Sequence, residues 1–171
     1  MNVVFLDYDG VVNTPMWDEE GKHCRFNFPE DNKVNNFQSV QWVSEFCEQY
    51  GYSIVVSSTW RFDDNYIECL VNGGLRSGIE IVGKTPIIKD GTRGDEIEAY
   101  LMDHPEVDFF LIFDDDNDVE LYDDHLVLCD ADRGFGLAEY YEAGSVHDEM
   151  RRKKLYGSMF SSEEKCEVND D

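Results

Sequence analysis

Two aspartates stand two residues apart in Asp7-Tyr8-Asp9-Gly10-Val11, directly after the apolar run Val3 to Leu6. Carboxylates at i and i+2 beyond a strand end can share one crevice if the backbone turns there, and Gly10 permits that turn. One acid can attack while the other moves protons. A carboxylate approaching a phosphoryl group meets another anion, so a hard divalent cation is the natural third party. Asp114 and Asp115, with Asp118 one helical turn later, form an oxygen-rich cluster suited to Mg²⁺, which prefers carboxylates, carbonyls and water. A calcium loop of the EF-hand type does not fit the same residues. Counted from Asp114, Val119 stands where glycine belongs and His125 where glutamate belongs.

Ser57 follows the apolar run Tyr52 to Val56. A hydroxyl placed there, together with backbone N–H groups at a helix start, can bind phosphate oxygens. Ser58, Thr59 and Asp63 are equally suited to capping a helix. A cation is wanted to hold aspartate and phosphate together. Arg93, entering a helix in Arg93-Gly94-Asp95-Glu96-Ile97, is the first choice, with Lys84 and Lys89 as rivals.

These residues need a scaffold that brings separate strand ends together. Val3 to Leu6 reads as a strand buried on both faces of a parallel sheet. Further strands are expected at Tyr52 to Val56, Ile79 to Val82, Asp108 to Phe113 and Leu126 to Cys129. Between them Phe37, Val40, Val43, Phe46 and Cys47 recur at helical spacing, with Gly51 as the stop. A second helix opens at Asp63 and Asp64 and stops near Gly73, a third runs from about Gly94 to Met102, and a fourth begins around Leu137. Strands alternating with helices predict a three-layer α/β/α sandwich around a parallel sheet. Ligands in such folds gather at the carboxyl ends of the strands, which sends Asp7, Ser57 and Asp114 to one edge. The polar, aromatic stretch from about 13 to 33 reads as a flap. Residues 1–160 read as a single domain, and 161–171 as a flexible acidic tail.

Composition narrows the function classes. A hydrophobic share of 42% over 171 residues is too high for a chain that stays disordered, and the length suits one α/β domain. No apolar run approaches the roughly 20 residues needed to cross a bilayer. Met1 to Asp7 has no basic region and reads as no signal peptide, so a cytoplasmic protein is expected. The five cysteines are odd in number and form no C-x-x-C pair, which favours free thiols. The net charge of −24 disfavours extended nucleic acid and anionic membranes as partners. It also admits a rival of another class, a non-catalytic protein whose acidic surface occupies a basic site on a partner.

The apolar strand with Asp7-Tyr8-Asp9-Gly10-Val11-Val12 resembles the first motif of the haloacid dehalogenase (HAD) superfamily. Val55-Val56-Ser57 resembles the second motif, Arg93-Gly94 ahead of an apolar helix the third, and Phe110-Leu111-Ile112-Phe113-Asp114-Asp115 the fourth. The resemblance implies strand order 5-4-1-2-3 and a phosphatase with two chemical steps. Asp7 would be the nucleophile that forms an aspartyl-phosphate, and Asp9 the acid and then the base. Mg²⁺ would be held by Asp7, the backbone carbonyl of Asp9, and Asp114, with Asp115 or Asp118 contributing. An aspartate at position 9 is what separates phosphatases of this superfamily from its dehalogenases. Neither cap-insertion gap is large, so a capless member with an open site is implied.

Ser57-Ser58-Thr59-Trp60-Arg61, Gly83-Lys84-Thr85-Pro86 and Arg93-Gly94-Asp95-Glu96-Ile97 further resemble the phosphatase domains of multi-domain RNA-repair proteins. Gly10, Ser58, Thr59, Arg61 and Lys84 are the candidates to bind substrate. Arg61, Arg93, Lys84 and Lys89 can form a cationic surround for one terminal phosphate; equally, Trp60 can be core packing and Arg61 a surface ion pair. A phosphorylated nucleic-acid end, nucleotide or protein is the expected partner. An aspartate-based phosphotransferase shares the covalent step and stays open as an alternative.

Overall fold

The computed structural model describes residues 1–14, 16–17, 23–24 and 37–163. Five parallel strands form the main sheet: β1 (Asn2–Leu6), β4 (Tyr52–Val56), β5 (Ile81–Lys84), β6 (Phe109–Asp114) and β7 (Leu126–Leu128). β2 (Met16–Trp17) and β3 (His23–Cys24) make a separate antiparallel pair. The order across the main sheet is β5-β4-β1-β6-β7. Counting the main-sheet strands in chain order, this is 3-2-1-4-5, the expected 5-4-1-2-3 read from the other edge.

The continuous apolar character of β1 follows from its central place. Successive strand residues point to opposite faces. Val4 and Leu6 enter one apolar cluster with Ile54, Val56, Leu111 and Phe113, beneath Val40, Val43 and Phe46 of α1 (Phe37–Tyr50) and Ala143 of α4 (Leu137–Glu163). Val3 and Phe5 enter a second cluster with Val55 and Ile112, beneath Ile97 and Tyr100 of α3 (Arg93–Asp103). Two cores on two faces of one sheet make three layers. The remaining helix, α2 (Tyr66–Asn72), follows a 3-10 turn at Thr59–Phe62 and contributes Leu70 to the first cluster.

Local signals set the helix ends. The Gly51 N–H donates to the Cys47 carbonyl at 2.9 Å, with φ at +71°, so glycine closes α1. α3 opens on a capping box: the Thr92 hydroxyl accepts from the Asp95 N–H, and the Asp95 carboxylate accepts from the Thr92 N–H. That box fixes Arg93 as the first residue of α3.

The third strand is corrected. It was expected at Ile79 to Val82 and lies at Ile81–Lys84, because the β4 pairing shifts register between Ile54 and Val55. The apolar pair Ile79 and Ile81 packs against the first core whichever of them is in the ladder, so apolarity alone misplaces the strand. Most of the flap expected at 13–33, and the tail from 164, lie outside the described residues. Between β4 and α3, where a cap could be inserted, there are only the 3-10 turn, α2 and β5. No helix among the described residues is long and apolar enough to cross a membrane, and Cys47 and Cys129 are free thiols.

Candidate active site

Hydrogen bonding continues past the strand ends and places the polar residues that follow. The Asp7 N–H donates to the Phe113 carbonyl at 3.0 Å and the Ser57 N–H to the Leu6 carbonyl at 3.0 Å. The Cys129 N–H donates to the Asp114 carbonyl at 2.8 Å. Asp7, Ser57 and Asp114 therefore stand side by side on the carboxyl edge of β1, β4 and β6.

After Asp7 the chain folds into a tight turn in which the Tyr8 carbonyl accepts from the N–H groups of Val11, Val12 and Asn13. Gly10 sits in it at φ +78°, and a Cβ there would fall 2.3 Å from the carboxyl carbon of Asp115. Both backbone conformation and space demand glycine. Gly10 was expected to touch substrate, and what the structure shows it doing is admitting the Asp115 side chain.

Asp7, Asp114 and Asp115 form the cluster: each offers an oxygen, and these oxygens lie within 4.8 Å of one another. Arg93 clamps two of the three. Its Nη2 lies 3.2 Å from Asp7 Oδ1 and its Nε 3.3 Å from Asp114 Oδ2. Of the three cations weighed for this position, Arg93 is the one in contact with the aspartates. Asp118 is not in the cluster. Its carboxylate accepts from the Arg93 N–H at 3.4 Å and its carbonyl from the Gly94 N–H at 3.3 Å, so it seats the start of α3. A Cβ on Gly94 would meet the Val119 carbonyl oxygen at 2.7 Å, which is why the helix can approach that loop so closely.

Burial governs the electrostatics. It is the largest influence raising the Asp7 carboxyl above its ordinary range. The charge of Asp114 raises it further, and Arg93 and the Ser58 hydroxyl pull it down. Burial likewise raises Asp114, opposed by Arg93 and by the Asp116 N–H, which donates to Asp114 Oδ1 at 3.1 Å. Burial raises Asp115 as well. Three acids held together under one guanidinium carry an excess of negative charge that a cation would relieve. Asp114 Oδ2 is buried and makes no hydrogen bond, only the ion-pair contact to Arg93 Nε, and every cluster atom on offer is a hard oxygen. Such a donor set fits Mg²⁺.

The second strand end supplies hydroxyls. Ser57 Oγ is fully buried with no hydrogen-bond partner. Ser58 caps the 3-10 turn by accepting from the Trp60 N–H at 3.3 Å, and its hydroxyl pulls the Asp7 carboxyl down. Thr59 is exposed at the start of the turn.

The expected cationic mouth is arranged differently. Arg61 is turned inward, with Nη1 donating to the carbonyls of Ser57 at 2.7 Å and Ser58 at 2.8 Å. Its Nη2 pairs with Glu96 at 2.6 Å, and the arginine is only 4% exposed. A guanidinium so engaged is a brace between the turn and α3, and it does not offer its fork to solvent. Lys84 Nζ donates to the Arg61 carbonyl at 3.0 Å and lies over the Tyr66 ring, while Lys89 is exposed.

The Asp9 carboxylate is outside the three-acid cluster. Its Oδ1 accepts from Asn13 Nδ2 at 3.2 Å and its Oδ2 from Trp60 Nε1 at 3.0 Å. Glu96, Asn13 and the Trp60 donor were all missed by sequence reasoning. Glu96 did leave a signal: it is an acid on the same buried face as Ile97 and Tyr100, where an unpaired charge would be costly.

A family model described as the HAD domain in Swiss Army Knife RNA repair proteins matches residues 3–139. No curated protein and no solved structure matches the chain.

Proposed function

The chain belongs to the family of HAD domains found in Swiss Army Knife RNA repair proteins, and on that premise we propose that it is a Mg²⁺-dependent phosphomonoesterase using Asp7 as nucleophile. HAD domains are in general hydrolases of the phosphatase type. The observation that carries the finer reading is the convergence of Asp7, Asp114 and Asp115 under Arg93 at the strand ends.

Asp7, Asp114 and Asp115 would hold the ion, with the Asp9 carbonyl. Bound there, Mg²⁺ supplies positive charge that offsets repulsion between a carboxylate and a phosphate ester. The remaining work belongs to the chain's own groups. An oxygen of Asp7 attacks phosphorus, and the bond from phosphorus to the leaving oxygen breaks. Asp9 gives its proton to that oxygen, so the alcohol leaves neutral. Asp9, now ionised, takes a proton from water as the water attacks the same phosphorus. The bond to Asp7 breaks, phosphate is released and both acids return to their starting states.

Arg93, already on Asp7, is placed to meet a phosphoryl oxygen brought to the same carboxylate. Ser57 Oγ, buried and without a partner, is the hydroxyl assigned to a second phosphoryl oxygen. Ser58 and Thr59 offer further donors at the turn. For substrate, the family favours the terminal phosphate of an RNA end, and the net charge of −24 confines contact to that end.

The test is hydrolysis of a panel of 3′- and 5′-phosphorylated oligonucleotides, nucleoside monophosphates, sugar phosphates, a phosphopeptide and an aryl phosphate. We expect turnover in Mg²⁺, none in EDTA, and less than about one thousandth of wild-type kcat in Asp7→Asn. Absence of metal-dependent turnover on the whole panel, or persistence of turnover in Asp7→Asn, refutes the proposal.

A further inference from the structure

We infer that Trp60 is a positioning residue whose indole N–H aims the Asp9 carboxylate, an inference that rests on the acid–base role proposed for Asp9. Asp9 is exposed, and an exposed carboxylate left to itself samples several rotamers. Here both of its oxygens are held: Oδ2 by Trp60 Nε1 at 3.0 Å and Oδ1 by Asn13 Nδ2 at 3.2 Å. An indole N–H can only donate, so it constrains the carboxylate without competing for its proton.

Trp60 is itself fixed from three directions. Its ring packs on Tyr8, with centroids 5.9 Å apart, and the Tyr8 hydroxyl donates to the Tyr66 carbonyl at 2.8 Å. Its backbone N–H donates to Ser58 Oγ. Its neighbour Arg61 is bound to the Ser57 and Ser58 carbonyls and to Glu96. One short turn thus carries both Ser58, which follows the buried Ser57 beside Asp7, and Trp60, which holds the acid. Orientation of this kind matters most where a proton must reach a leaving oxygen during bond cleavage.

The experiment compares Trp60→Phe with wild type on two esters, reading kcat/KM, which reports only the steps up to release of the alcohol. An alkyl phosphate needs its leaving oxygen protonated; 2,4-dinitrophenyl phosphate does not. We expect kcat/KM for the alkyl ester to fall about tenfold and that for the dinitrophenyl ester to stay within about twofold, with the Mg²⁺ concentration for half-activation unchanged. Asp9→Ala should show the same pattern more strongly. Equal loss on both esters marks a merely structural role and overturns the inference, as does no loss on either.

A second arm needs no turnover. In protein labelled with ¹⁵N-tryptophan, the Trp60 indole hydrogen should exchange with solvent at least tenfold more slowly in wild type than in Asp9→Ala, and equal rates overturn the inference. Wild-type protein without metal-dependent turnover overturns the phosphatase reading and the positioning role with it. Wild-type turnover with an unselective Trp60→Phe defect overturns the positioning role alone.

Discussion

Replacing Asp7 with asparagine removes a negative charge from the centre of the cluster at constant size, and it should make the metal-free protein more stable at alkaline pH. Burial first, and then the charge of Asp114, push the Asp7 carboxyl from 3.8 up to about 7, against the pull of Arg93 and Ser58. In the unfolded chain the same carboxyl titrates near its ordinary value of about 4, so the folded state holds the proton more tightly. The stability this group contributes is therefore complete below about pH 4 and is lost as the pH rises through about 7. A rise of roughly three pH units at about 1.4 kcal/mol each makes ionised Asp7 a burden of at most about 4 kcal/mol at pH 8. Water entry and small movements of Arg93 reduce this, leaving about 2 kcal/mol as the expectation. At about 2–4 °C per kcal/mol for a chain of this length, Asp7→Asn should melt about 4–8 °C above wild type in EDTA at pH 8. At pH 5, where wild-type Asp7 is protonated, the two should agree within about 2 °C. Mg²⁺ in excess should raise the wild type and leave the variant nearly unmoved, since an ion that binds only the folded wild type stabilises it by mass action. Scanning calorimetry at the two pH values, with and without Mg²⁺, reads all four cases. If Asp7→Asn melts at or below wild type in EDTA at pH 8, Asp7 does not sit in the field of the other acids and the reasoning fails.

Glu96→Gln leaves the inward-turned Arg61 without its counter-charge, and breaking a buried pair on one side should cost about 3–5 kcal/mol in urea denaturation. A loss below about 1 kcal/mol would show that water reaches Arg61 freely. Gly10→Ala forces a side chain to φ +78° and onto the Asp115 carboxyl. The backbone alone should cost about 1–2 kcal/mol, and displacement of Asp115 should weaken Mg²⁺ binding at least tenfold by calorimetric titration; unchanged affinity would remove Asp115 from the ion site.

Much of the scaffold was readable because burial on both faces writes itself as unbroken apolar runs. Val3 to Leu6, Tyr52 to Val56 and the run ending in Phe113 could be nothing else, and residues just beyond them had to share an edge. β5 was misplaced because it lies at the sheet margin with alternating exposure. There the ladder is decided by a register shift against β4, which leaves no mark in composition. Asp7, Asp114, Asp115 and Arg93 were legible from chemistry plus position. Arg61 was not, since an arginine near a strand end looks the same whether it faces a ligand or a buried glutamate 35 residues away in sequence. Helical spacing from Asp114 marked Asp118 only as a possible ligand; the helix start that it also serves is visible only in three dimensions. The Trp60 contact with Asp9 depends on two turns meeting, which neither local pattern announces.

The backbone bonds that carry the ladder beyond the last strand residues have a consequence for motion. The amides of Asp7 and Ser57 donate to carbonyls of the fully buried Phe113 and Leu6, so their hydrogens should be released only in openings that approach global unfolding. Groups on such a foundation cannot drift apart to let a product out. Whatever breathing the site undergoes must come from side chains and loops above the sheet, and a cavity cut into the central strands would be felt first as altered spacing between the acids.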